Sequence, residues 1–171
     1  MEIAKVYDII HKIADGFEAN ATQCLANNSS VVVDLIREQI YSGVDGKGEH
    51  LSPTYDDDPY FEEPGYWYHR AADYKAWKYK ITPPETSPNL QLAPRPVAVP
   101  NLFIDGTFFG QINARMNGDV LDVSPGNGNG PAIREKYGED LFLLGNNAVD
   151  WFNGNFLLPA IVKFFNECGY Q

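Results

Sequence analysis

Six of the chain's 12 prolines fall between Thr82 and Pro100, at Pro83, Pro84, Pro88, Pro94, Pro96 and Pro100. Proline fixes φ and has no amide hydrogen, so this stretch forms neither a helix nor a central strand. It therefore splits the sequence into two flanking parts joined by an extended, semi-rigid arm. Such an arm either reaches a neighbouring subunit, and is then mobile in the isolated chain, or tethers two parts of one domain. The composition leaves both open.

At 171 residues and 44% apolar content, the flanking parts read as one domain over residues 1–171, with an acidic loop at 44–64 and the arm at 82–100 as its extensions. Ahead of the arm, Ile3, Val6, Ile9, Ile10, Ile13 and Phe17 recur at helical spacing. They predict an amphipathic helix from residue 3 to about 14, ended near Gly16, with a weakly periodic piece over Glu18 to Ala26. Asn27 to Ser30 offers caps for a helix from about 30 to 41. Its stripe is Val32, Leu35, Ile36, Gln39 and Ile40, and Gly43 closes it.

Between Val44 and Pro64, Asp45, Glu49, Asp56, Asp57, Asp58, Glu62 and Glu63 are opposed only by Lys47. The run from Asp45 to Glu49 has some likeness to a calcium loop but lacks the ligand spacing and closing glutamate of an EF-hand, so a solvated acidic loop is expected. Tyr55 to Tyr79 then carries nine of the chain's 23 aromatics. That density marks a subunit interface or a second small core. The candidate interface residues are Tyr66, Trp67, Tyr68, Tyr74 and Trp77, with Pro94 and Pro96 of the arm, and Trp67, Tyr68 and Trp77 are the expected anchors. Tyr74, Trp77 and Ile81 fit one face of a short basic helix, which either folds back on the acidic loop or meets an acidic neighbour.

Beyond the arm, Leu102-Phe103-Ile104 reads as a short strand stopped by Asp105-Gly106, and Thr107 caps a turn holding Phe108 and Phe109. A hairpin is expected around Asn117-Gly118. Gly126 to Gly130 reads as a mobile tip, and Ala132 to Tyr137 as a short helix behind Pro131. Asn146 or Asn147 caps a long final helix in which Val149, Phe152, Phe156, Ala160, Phe164 and Cys168 fall near one face and Pro159 forces a kink or a split. Phe108, Phe109, Phe152, Phe156 and Phe164 are the expected core between hairpin and last helix. The predicted fold class is α+β: N-terminal helices, a small antiparallel sheet around the central hairpin, and a long C-terminal helix.

The formal charge of −10 and the pI near 4.6 argue against a sequence-specific or general nucleic-acid surface, which draws its affinity from Lys and Arg. No apolar run approaches the ~20 residues that span a bilayer, and no secretory leader pattern is present, so assembly in the cytoplasm with no membrane partner is expected. Cys24 and Cys168 read as reduced thiols, and His11, His50 and His69 are isolated from one another. No metal, cofactor or catalytic spacing emerges, and the expectation is a protein that is not an enzyme.

Four runs carry a family resemblance: REQIYSGVDGKGEHLSPTY, NLFIDGTFFGQI, NARMNGDVLDVS, and IREKYGEDLFLLGNNAVDWFNGNFLLPAIVKFF. Together, over roughly residues 36 to 168, they resemble small virion morphogenesis proteins of Bacteroidetes tailed phages and prophages, including crAss-like gut phages. The resemblance implies a head-to-tail joining or tail-completion component located in the virion neck or tail. Its implied partners are other copies of itself in a ring and portal, neck or tail proteins, with DNA passing along the axis. Two readings from other classes stand beside it: a small phage accessory enzyme or inhibitor, and a carbohydrate-binding module using the Tyr and Trp cluster.

Overall fold

The computed structural model describes residues 2–170 and mixes helix with a two-stranded sheet, in keeping with the α+β expectation. Its elements are α1 (Ile3–Asn27), α2 (Ser29–Tyr41), α3 (Ala71–Ile81), α4 (Thr107–Gln111), β1 (Asn113–Asn117), β2 (Val120–Ser124), α5 (Gly130–Tyr137), α6 (Asn146–Phe152) and α7 (Leu158–Glu167). No described helix is long and apolar enough to cross a membrane.

Helix α2 is the centre of the core. Its predicted stripe of Val32, Leu35, Ile36, Gln39 and Ile40 is buried, and Val33 joins it. Leu141, Phe142, Ala148, Phe152, Phe109, Ile112, Leu90 and Val99 complete the cluster. Three consecutive polar side chains of α2 then fasten irregular backbone around it. Arg37 donates from Nε to the Phe109 carbonyl at 2.8 Å and from Nη2 to the Ile112 carbonyl at 3.2 Å. The Glu38 carboxylate accepts from the backbone amides of Asn89 at 2.9 Å and Leu90 at 2.6 Å, and from the Asn89 side-chain amide at 3.0 Å. Gln39 donates to the Leu143 carbonyl at 3.0 Å and accepts from the Gly145 amide at 2.8 Å.

The proline-rich arm is therefore not a free extension. It runs without helix or strand, as proline requires, but lies against its own chain with Ser87, Leu90, Arg95, Val99 and Pro100 buried. Docking on the Glu38 carboxylate offsets the ordering entropy that otherwise leaves such a segment mobile. The arm thus ties together parts of one chain, one of the two roles its composition allows.

Helix α1 is longer than its periodicity suggests, continuing through Gly16 to Asn27. Gly16 does not end it, because α7 packs antiparallel across that point: a Cβ on Gly16 would sit 2.7 Å from the Phe164 ring. Tertiary packing overrides the local helix-ending tendency of glycine. Phe164 is thereby used against α1 and lies outside the main core, whereas Phe109 and Phe152 are in it and Phe108 and Phe156 pack against it.

The strand expected at Leu102 to Ile104 does not form. Leu102 has φ 52°, and the fully buried Asn101 accepts from the Phe103 amide through its side chain at 3.2 Å, a local turn that takes the hydrogen bond a strand would have used. The hairpin does form, with Asn113 opposite Ser124 and Asn117 opposite Val120, and it turns its half-buried Ala114, Met116, Leu121 and Val123 away from solvent. Its turn is one residue later than the sequence suggests. Gly118 and Asp119 are central, and of these only Gly118 has positive φ, 64°, the pattern of a turn with glycine first.

The expected mobile tip at Gly126 to Gly130 is instead held against α4. Gly126 has φ 71°, and a Cβ there would fall 2.3 Å from the Gln111 carbonyl oxygen. At the C-terminus, Gly145 rather than Asn146 or Asn147 takes the cap position of α6, and a single π turn over Asn153–Leu157 joins α6 to α7. The wide turn comes just before Pro159, where the missing amide hydrogen would otherwise break an α-helical ladder. Cys24 and Cys168 are both buried and unbonded to each other.

Two measurements check this architecture. Phe152→Ala, which removes a buried ring stacked on Phe156 at 5.4 Å, should cost about 3 to 5 kcal/mol in thermal or denaturant unfolding. Glu38→Ala should leave the core folded, lower stability by about 1 to 3 kcal/mol, and speed proteolysis between residues 85 and 94, where the arm loses its anchor.

Candidate functional site

The aromatic segment folds into a second, smaller core with a cleft in it. Trp67 packs edge-on to Tyr74 at 5.1 Å and tilted on Trp77 at 5.6 Å, and Tyr74 meets Tyr55 at 5.1 Å and Phe61 at 5.3 Å. Of the candidate interface residues, Tyr66, Trp67, Tyr74 and Trp77 come together in this cluster. Trp67, Tyr74 and Trp77 are half-buried and Tyr66 is exposed. Tyr68 is also exposed but lies against His69, and Pro94 and Pro96 stand exposed on the arm. The indoles are thus already engaged within their own chain, and the freest rings of the segment are Tyr66, Tyr68, Tyr60 and Tyr79.

Helix α3 supplies one wall of the cleft, and its buried face is not the one expected. Ile81 is exposed, while Lys78 and Thr82 are buried, Lys78 to 1% exposure. Lys78 is a cation buried in an aromatic cluster, and its ammonium donates to the carbonyl of Phe103. Arg95, the one charged residue between Pro94 and Pro96, is buried beside it and donates to the carbonyls of Val99 at 2.9 Å and Thr82 at 2.8 Å, while its Nε has no acceptor. Among the described residues, neither cation has a carboxylate partner.

Burial, and secondarily the charge of Arg95, lowers the Lys78 pKa to about 8. Burial lowers that of Arg95 as well. In the same cleft, burial pushes the Tyr74 hydroxyl up to about 12, helped by Tyr60 and Asp58, and pushes Tyr55 and Tyr137 up further. Asp58 is buried on the cleft floor and accepts from Lys136 at 2.6 and 2.7 Å. The cleft holds about 350 Å³, walled by Trp67, Tyr74, Trp77, Tyr137, Ile104 and Ile133, with Lys78, Lys136 and Asp58 as its charged groups.

The acidic loop is less solvated than its composition suggests. Lys75 of α3 pairs with Asp56 and Lys136 of α5 with Asp58, so two cations from elsewhere meet acids of the loop, and the loop's own Lys47 pairs outward with Asp140 at 2.5 Å. The Lys75–Asp56 pair is the fold-back of the basic helix, the first of the two alternatives. Asp45 accepts from the amides of Lys47 and Glu49, closing the loop on itself. Among the described residues, no three His, Cys, Asp or Glu side chains converge as a metal ligand set.

A second surface lies on the α1–α7 pair. Ile3 is 89% exposed, and Val6, Tyr7, Ile10 and Phe17 of α1 and Leu158 and Val162 of α7 are exposed with it. An amphipathic helix is expected to bury its apolar stripe, but of the described residues of α1 only Ile9 and Cys24 are buried. The sequence carries no signal of this: Ile3, Val6, Ile9, Ile10 and Ile13 keep the i, i+3, i+4, i+7 spacing of a buried stripe whether or not anything in the chain covers it, as the buried stripe of α2 does. Lys78 was also hidden, since Tyr74, Trp77 and Ile81 satisfy helical spacing equally well. Comparison of the chain with family models, curated proteins and solved structures returns no match.

The titrations give a stability profile with a defined sign. Lys78 binds its proton less tightly folded than unfolded, so between about pH 8 and 10.5 the unfolded state holds more protons and stability rises with pH, by roughly 3 kcal/mol at most. The buried tyrosines hold their protons more tightly folded than unfolded, so stability falls again above pH 10. Thermal melts from pH 7 to 11 should pass through a maximum near pH 10, and Lys78→Met should remove the rising limb.

Proposed function

We propose that the chain is a structural subunit of the neck or tail of a tailed bacteriophage. It assembles with other copies of itself into a ring around the DNA passage and docks on portal, neck or tail proteins. The observation that carries the reading is the exposed apolar surface of the α1–α7 pair. Isoleucine, leucine and valine side chains left in water on two packed helices are an unfavourable arrangement for a lone chain, and exposed apolar side chains gathered on one helix pair are what a protein contact would cover. Copies that meet head to tail through different patches close into a ring when the rotation between them closes. The net charge of −10 suits a passage for DNA, because like charge keeps a duplex from adhering to its wall. The exposed Tyr66 and Tyr68, with Pro94 and Pro96, are the remaining part of the proposed contact surface.

The reading predicts several copies of the chain in purified virions, counted by quantitative mass spectrometry and located by electron microscopy of the particle. The double substitution Ile10→Asp with Val162→Asp alters two exposed positions and should change the melting temperature of the isolated chain little while abolishing incorporation. Absence of the protein from purified particles, or incorporation of the double variant at normal copy number, overturns the reading.

A further inference from the structure

The aromatic cleft lies on elements other than the α1–α7 surface and has features that subunit contact does not explain. Its volume of about 350 Å³ is within the range of small-molecule sites, and it has their construction: flat apolar walls around a few buried polar groups. Its charges do not balance. Asp58 and Lys136 neutralise each other across two hydrogen bonds, which leaves the Lys78 ammonium as an uncompensated positive charge. Lys78 spends one donor on the Phe103 carbonyl, and an ammonium has three. Arg95 stands behind it, adding a second buried positive charge with no carboxylate among the described residues. In a chain with ten more acidic than basic groups, acids were available to pair these cations, and none is placed there. A buried cation without a counter-charge is costly, and an anion entering the cleft would relieve that cost.

We propose that this cleft binds a small aromatic carboxylate, with its ring lying against the wall that Trp67, Tyr74 and Trp77 form together and its carboxylate on the remaining donors of the Lys78 ammonium. Ring-on-ring contact with an aromatic wall favours a planar ligand body over an alkyl one. The charge-assisted hydrogen bond from Lys78 sets its polarity, carboxylate inward. The Phe103 carbonyl accepts from Lys78 and Arg95 is its charged neighbour; the phenols of Tyr55, Tyr74 and Tyr137 and the Asp58–Lys136 pair line the same cleft.

The test is a titration of isotope-labelled full chain with naphthoate, a two-ring carboxylate, and separately with its uncharged amide, naphthamide, read on the indole N–H signals of the three tryptophans. Naphthoate should shift Trp67 and Trp77 saturably and leave Trp151 of α6 unmoved. Naphthamide should bind about tenfold more weakly, the usual difference made by one hydrogen bond to a charged group. Lys78→Met should lower naphthoate affinity to that of naphthamide. No saturable shift at millimolar naphthoate, equal affinity for acid and amide, or shifts confined to Trp151 each overturn the proposal. The acid-to-amide comparison on the unaltered chain decides it even if the Lys78 variant fails to fold.

Discussion

Three adjacent side chains, Arg37, Glu38 and Gln39, fasten three irregular segments of the chain to α2. Each reaches from α2 to a different segment that has no regular backbone partner of its own: the end of α4, the proline-rich arm, and the loop entering α6. Buried backbone amides and carbonyls must find hydrogen bonds, and in a chain with so little sheet most cannot find them in a ladder. Turns satisfy many of them, and at these three segments side chains from α2 supply the partners. The arrangement succeeds because the same helix also buries its apolar stripe, so the polar edge is fixed in position by the core beneath it.

The two cores of the molecule obey different rules. Around α2, aliphatic and phenyl side chains close on one another with Gln39 as the polar exception, and that amide is satisfied on both ends. Around α3, indoles and phenols lie beside two cations that no carboxylate of the described residues pairs with. The first arrangement specifies a fold. The second is costly to maintain, and a costly arrangement in a cleft is more readily understood as serving a ligand than as serving stability.

Much of this was legible in the residues, and the misses have common causes. The α2 stripe, the hairpin, the helix behind Pro131 and the disturbance at Pro159 follow from period, glycine and proline, which act locally. The full length of α1 does not, because Gly16 ends a helix in isolation and permits close packing in the presence of Phe164. Docking of the arm was hidden for the same reason: a glutamate 51 residues away supplies its anchor, and no local pattern encodes it. In the cleft, the aromatic density announced a cluster, but the burial of Lys78 depends on which of two adjacent helix faces the arm covers.

The distances in sequence spanned by α2 also bear on how the chain is made. Arg37 waits for a partner 72 residues later and Gln39 for one 104 residues later. At roughly 5 to 20 residues per second, a ribosome needs on the order of 5 to 20 seconds to supply those hundred residues. Through that interval the stripe of Val32, Leu35, Ile36 and Ile40 has emerged without its cover. The nascent chain therefore passes through a stage at which its most buried surface is its most exposed one, and chaperone capture would be felt there first.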